Sequence, residues 1–218
     1  MATARSGLES EDRPELGGAV AAIGVLGGAF NPPHIGHLVL AQEAASQLGL
    51  RTVLFVPAGE APHKRIEPEP GPEVRLEMAR LAAATDPTLD ASDVETSREV
   101  PSFTVRTLEL LSDARPKDEL VFVMGADVAA GLEGWRDPER ILELARLGIA
   151  ARPGTVLDEA EAALERLGGQ ERGEIVSMPE IGVSSTGIRR RVATGRPIRH
   201  LVPDAIVDFI HERGLYRA

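Results

Sequence analysis

A doubly wound α/β fold is the expectation from this sequence, and three features carry it. Apolar runs of strand length alternate with amphipathic runs of helix length from residue 19 to residue 214. The run ELVFVMG at 119–125 is apolar almost throughout, as a central strand of a parallel sheet must be. Glycine- or proline-rich corners stand at the ends of the apolar runs, where strands turn into helices.

Taken in order, residues 1–18 are polar, charged and without apolar periodicity, so they are expected to be a disordered tail, with one domain over 19–218. The apolar run 19–27 predicts a strand, 36–49 a helix and 52–58 a second strand. A Pro-rich loop at 59–72 precedes a helix over 73–85, and a short strand is expected near 91–96. A helix over 103–114 leads into the buried strand 119–125. The alternation continues with helix 138–147, strand 148–152, helix 157–168, strand 174–178 and helices at 185–195 and 203–214. Strands separated by helices of this length make right-handed crossovers, which give a parallel sheet covered on both faces. No fixed-period repeat and no long linker divides the chain. Ligands of such sheets bind beyond the carboxyl ends of the strands, where strand order reverses.

Composition narrows the function. With 218 residues and 43% hydrophobic content the chain can fill a core. A net charge of −10 argues against gripping long nucleic acid, which needs a broad basic surface. The stretch GIRRRVATGRPIRH at 187–200 is nevertheless a basic island, either a solvated helix face or a site for one small anion. Cysteine is absent, which excludes disulfides and thiolate metal sites and fits a cytoplasmic protein. No apolar run is long enough to span a bilayer, so no membrane partner is expected.

The corner GGAFNPPHIGH at 27–37 carries the first chemistry. Gly27 and Gly28 let backbone N–H groups approach an anion, and the helix that follows aims its positive end at the same place. The corner is neither a dinucleotide fingerprint nor a P-loop. His34 and His37 are three apart, so in a helical first turn both imidazoles share one side, where cationic or donating rings could stabilise charge on a transferring phosphoryl group. A metal reading of the pair lacks the acidic partner of the H-E-x-x-H spacing. Further on, SST at 184–186 reads as a helix N-cap whose hydroxyls and amides face an anion, with Arg189 one turn in.

These two stretches resemble the paired [HT]-x-G-H and S-S-T-x-I-R signatures of the nucleotidyltransferase superfamily, whose fold is Rossmann-like. Over nearly all of residues 22–217 the chain is similar to the nicotinate-nucleotide adenylyltransferases, through VPAGEAPHK at 56–64, SFTVRTL at 102–108, the G-x-D of MGADVAAGLEGWRDPERIL followed by its tryptophan, ARPG at 151–154 and LVPDAIVDFIHERGLY at 201–216. Pantetheine-phosphate adenylyltransferases share the two phosphate signatures but lack the tryptophan and the SFT set. The resemblance implies transfer of AMP from ATP to nicotinate mononucleotide, with Mg²⁺ carried on the triphosphate and no metal site of the protein's own.

It implies that His34, His37 and Arg189 are catalytic, and that ATP meets Gly27, Gly28, Ala29, Phe30, Gly125, Asp127, Ser184, Ser185 and Thr186. Nicotinate mononucleotide would meet Lys64, Ser102, Phe103, Thr104, Trp135 and Arg152. Chemistry supports these roles: indole can stack on pyridine, hydroxyls can donate to a carboxylate, and Asp127 can accept from a ribose or, alternatively, cap the helix that follows it. Ala29, Asn31 and Phe103 depart from the commonest pattern, the first two removing a hydroxyl and a charge beside the phosphates. Rival readings are an adenylyltransferase for nicotinamide mononucleotide or both mononucleotides, a nucleotide-binding module without turnover, and a metal hydrolase using His34, His37 and His63. A homo-oligomer is compatible with the sequence.

Overall fold

The computed structural model describes residues 22–59, 68, 70–97, 102–152, 155 and 157–217. Residues 1–21 lie outside this set, so the expected tail is not described. Six strands form one parallel sheet: β1 (Ala22–Gly28), β2 (Thr52–Pro57), β3 (Leu89–Ala91), β4 (Glu119–Gly125), β5 (Ala145–Ala151) and β6 (Gly173–Ser177). Their order is β3-β2-β1-β4-β5-β6, so the chain winds outward one way from β1 and then the other way from β4. This is the reversal expected of a doubly wound sheet, and it opens a crevice above β1 and β4.

Helices α1 (Ile35–Gln47), α2 (Pro72–Ala83), α3 (Thr104–Ala114), α4 (Ala126–Ala129), α5 (Pro138–Leu144), α6 (Asp158–Arg166), α7 (Ser185–Ala193) and α8 (Asp204–Glu212) cover the sheet. Two apolar clusters lie on its two faces. One packs Leu26, Val53, Phe55 and Val121 against α1, α2 and α8; the other packs Val25, Leu54, Phe122 and Leu147 against α3, α5 and α6. Alternate residues of one strand point to opposite faces, so strands clothed on both sides must be apolar throughout. Leu120 to Met124 of β4 are all buried.

Three boundaries differ from the sequence expectation. The helix predicted over 138–147 stops at Leu144, and Ala145, Arg146 and Leu147 join β5. These residues have good helix propensity, but β4 and β6 flank them: the Arg146 side chain donates to Glu119 at 2.6 Å and also bonds Glu174, one on each neighbouring strand. Tertiary pairing overrides local preference here. The short strand lies at Leu89–Ala91, before the expected place, because its pairing with Val53 to Phe55 sets its register. The helix considered after Asp127 starts at Ala126 instead, as the short α4, and the 3-10 turns at Leu132–Gly134 and Gln170–Arg172 were not foreseen. No helix among the described residues is long and apolar enough to cross a membrane.

Candidate active site

The carboxyl ends of β1, β2, β4 and β5 bring together Gly28, Gly59, Gly125 and Arg152. After β1 the chain turns sharply through Phe30, whose φ of 47° lies in the left-handed region that a bulky residue seldom adopts. Its ring is buried, stacked on Phe55 at 5.1 Å and tilted against His37 at 5.0 Å. The ring of Phe30 therefore belongs to the core, and only its backbone remains to face a ligand.

His34 is the N-cap residue of α1 and His37 lies in its first turn. The two rings stack with centroids 3.8 Å apart, so both do lie on one side. The His34 backbone N–H donates to His37 Nδ1 at 3.1 Å. With Nδ1 accepting, a neutral His37 must carry its proton on Nε2, which leaves Nε2–H as the donor. Gly36 makes room for this: a Cβ there would stand 3.1 Å from Nδ1 and Cε1 of His34. His34 Nδ1 is buried and has no hydrogen-bond partner among the described residues.

The sequence left open whether these rings are cationic or merely donating. Burial, with a smaller contribution from the Arg152 charge, lowers the His34 pKa to about 4. Burial and the neighbouring His34 lower that of His37 to about 3. Burial thus favours neutral, donating rings at pH 7 in the ligand-free protein.

The second signature is laced directly to the first. Ser184 caps α7, its Oγ accepting from Gly187 N–H at 3.1 Å. Ser185 Oγ donates to Pro32 O at 2.8 Å, and Arg189 Nη1 donates to Asn31 O at 2.8 Å while Nη2 reaches Thr186 Oγ1 at 3.3 Å. Ser184 thus takes the capping role, and the Ser185 hydroxyl ties α7 to the histidine corner. Asn31, 1% exposed, sends its own amide further: Nδ2 donates to Pro68 O at 2.9 Å, and Oδ1 accepts from the Tyr216 hydroxyl. The amide orientation is forced, since Pro68 O can only accept.

Arg75 of α2 was not singled out by the sequence, yet it is completely buried beneath the corner. Its guanidinium donates to Ala29 O at 3.1 Å and to Gly59 O at 2.9 Å, clamping the loops after β1 and β2 together. A cation among Leu76, Met78 and Ala79 on the buried face of a helix was the available signal.

On the other side of the crevice Ser102 Oγ accepts from Gly59 N–H at 2.9 Å, which leaves its O–H to donate. A Cβ on Gly59 would stand 2.6 Å from Glu95 O, so only glycine fits this junction. Buried Thr107 donates to Glu95 Oε1 at 2.5 Å and thereby fixes the chain between β3 and α3. Phe103 precedes the first residue of α3, Thr104, and the Arg136 guanidinium lies over its ring at 4.6 Å from the centroid. Trp135 is half-buried, its ring in a T-shaped contact with Phe122 at 6.0 Å between centroids. Gly125 is the N-cap of α4, and a Cβ there would meet Asp127 Oδ1 at 2.5 Å. Asp127 therefore folds back over the end of β4 from the first helical turn, in place of the capping position considered for it. Arg152 is exposed at the end of β5, with its N–H on Thr155 Oγ1 at 3.0 Å. Lys64 and His63 lie outside the described residues.

A parallel sheet in this order, with an imidazole pair and a capped arginine helix at its reversal, is the architecture of a nucleotidyltransferase. The cytidylyltransferase-like family matches residues 25–191, a span that includes both signatures. A protein of Roseiflexus sp. (strain RS-1), named probable nicotinate-nucleotide adenylyltransferase, is 45% identical over 197 residues, covering 90% of this chain and 98% of its own. A protein of the same name from Thermus thermophilus is 43% identical over 195 residues, covering 89% and 99%. The chain belongs to the cytidylyltransferase-like family and, within it, to the nicotinate-nucleotide adenylyltransferases. The Plasmodium falciparum nicotinic acid mononucleotide adenylyltransferase, solved in complex with NaAD, shares the fold at a TM-score of 0.72 and 17% identity, covering 90% of this chain and 97% of that one.

Proposed function

We infer that the protein transfers the adenylyl group of ATP to nicotinate mononucleotide, giving deamido-NAD and pyrophosphate for NAD biosynthesis. The observation that carries this reading is the lacing of the stacked His34–His37 pair to Arg189 through the Asn31–Pro32 backbone at the strand-order reversal. An oxygen of the mononucleotide phosphate attacks the α-phosphorus of ATP, and the bond to the bridging oxygen of pyrophosphate breaks. That phosphate is already a competent nucleophile at neutral pH, so no covalent intermediate and no general base are required. Catalysis comes from alignment and from donors aimed at the developing charge.

His37 Nε2–H and His34 supply neutral donors, and an anion arriving beside them favours their protonated forms. Arg189, anchored at 2.8 Å on Asn31 O, supplies the fixed positive charge. The ATP side comprises the backbone of Gly27, Gly28, Ala29 and Phe30, the Gly125–Asp127 turn and the Ser184–Thr186 cap. The acceptor side comprises Ser102, Phe103, Thr104, Trp135 and Arg152, joined by Lys64 from beyond the described residues.

The described residues include no cluster of three or more His, Asp or Glu able to cage a metal ion. We propose that the divalent cation of the reaction is Mg²⁺ and that it enters on the triphosphate. Such an ion neutralises phosphate charge. His37 Nδ1 is already occupied by the His34 N–H, which disfavours the rival metal-hydrolase reading. The reading places the enzyme in the cytoplasm with its soluble substrates.

Pyrophosphate release with ATP and Mg²⁺ tests the proposal, with nicotinate mononucleotide, nicotinamide mononucleotide and phosphopantetheine offered separately. Preference for the first is expected. Turnover of another acceptor alone would overturn the acceptor assignment, and no turnover with any would leave a binding module.

A further inference from the structure

Arg136 stands out among the arginines around α3, α5 and α6 because of what holds it. Arg106 pairs with Glu109 at 2.8 Å, Arg140 with Glu143 at 2.6 Å and Arg166 with Glu133 at 2.5 Å. Arg136 has no ion pair among the described residues; its guanidinium lies instead over the Phe103 ring, 4.6 Å from the centroid. Glu133, three residues before it, is engaged by both Nε and Nη2 of Arg166. An aromatic face fixes a cation in place without neutralising it, because the ring carries a quadrupole and no net charge. The positive charge of Arg136 is therefore both positioned and available.

Its position is informative. Phe103 lies between Ser102 and Thr104, and Trp135 is the residue before Arg136 in the chain. Phe103 and Trp135 pack against the apolar cluster on one face of the sheet, and the guanidinium over the Phe103 ring stands beside the Ser102–Thr104 stretch assigned above to the acceptor side. The two mononucleotides that could enter differ at one place on the pyridine ring, a carboxylate in one and a neutral carboxamide in the other. A hydrogen-bonding wall can satisfy either group after a rotation, whereas a net charge separates them.

We propose that Arg136, held over Phe103, is a specificity-determining residue that favours a pyridine mononucleotide bearing a carboxylate over one bearing a carboxamide. The proposal rests on the adenylyl-transfer reading and goes beyond it in assigning the choice of acceptor to one side chain. The site faces water, so the effect is moderate: a partly exposed charge pair changes an equilibrium by about fivefold.

The test is kcat/KM for nicotinate and nicotinamide mononucleotides, at saturating ATP and Mg²⁺, for the natural enzyme and for Arg136→Gln and Arg136→Lys. Glutamine keeps length and polarity and removes charge; lysine restores charge without the planar fork. The expected result is a selectivity ratio about fivefold lower in Arg136→Gln, chiefly through a higher KM for nicotinate mononucleotide, and largely recovered in Arg136→Lys. Raising the salt should erode the ratio of the natural enzyme and leave that of Arg136→Gln flat. An unchanged ratio in Arg136→Gln, or an equal loss with both acceptors, would overturn the assignment while leaving adenylyl transfer standing. A folded natural enzyme that adenylylates neither mononucleotide would instead overturn the reading beneath it.

Discussion

His37 has a structural task beside the donor role proposed for it. Its Nδ1 satisfies the backbone of the N-cap residue, and that bond determines which nitrogen points outward as a donor. His37→Ala should keep the fold, as judged by circular dichroism and thermal melting, and lower kcat by about 10²-fold or more, the usual cost of deleting one donor to a developing oxyanion. The histidine pair also sets an acid limit on stability. Their ordinary pKa of 6.5 in the unfolded chain falls to about 4 and about 3 on folding. Below pH 6.5 the unfolded chain takes up protons that the folded one refuses, so stability is lost as pH falls toward about 3. Urea midpoints measured from pH 7.5 to 4 should decline less steeply in His34→Gln/His37→Gln than in the natural protein.

Arg75 carries a different risk. Arg75→Met would fill similar volume but leave Ala29 O and Gly59 O without these donors, and should cost about 3 kcal/mol in urea unfolding. The histidines and Arg189 could be picked out in the sequence because their spacing is itself chemical. Thr107 and Tyr216 could not, because their partners Glu95 and Asn31 lie in other segments, and Arg75 was marked only by its place on a buried helix face, since its partners are backbone carbonyls with no residue identity to read.

At the scale of elements, the start of α1 is the place where packing and chemistry meet. Gly36→Ala adds a methyl group 3.1 Å from the His34 ring, which alanine's better helix propensity does not relieve. The His34 ring must give by a few tenths of an ångström, so activity should drop with little loss of melting temperature, and assays alongside calorimetry would show the split. Ser185→Ala removes the bond from α7 to Pro32 O and should raise the KM for ATP and cost about 1 kcal/mol. The alternation of strands and helices was legible because burial on both faces forces continuous apolar runs on strands, and burial on one face forces periodic runs on helices. Where α5 yields to β5 it was not legible. Ala145, Arg146 and Leu147 suit a helix by themselves, and only the acids on β4 and β6 draw Arg146 into the sheet.

At the scale of the whole molecule, the histidine corner is held by pieces of chain drawn from everywhere. Gly28 ends β1, Arg75 reaches it from α2, Arg189 from α7 and Tyr216 from the segment after α8. Tyr216→Phe should keep the ring packed and lose the bond to Asn31, slowing turnover more than it lowers the melting temperature. The contact between Asn31 and Tyr216 spans 185 positions of sequence, and those from α7 to the same loop span 153 and 158. A ribosome makes the histidine corner well before the fasteners from α7 and Tyr216. The growing polypeptide therefore carries the His34–His37 corner without the bonds from α7 and Tyr216 to its loop until residue 216 has left the exit tunnel.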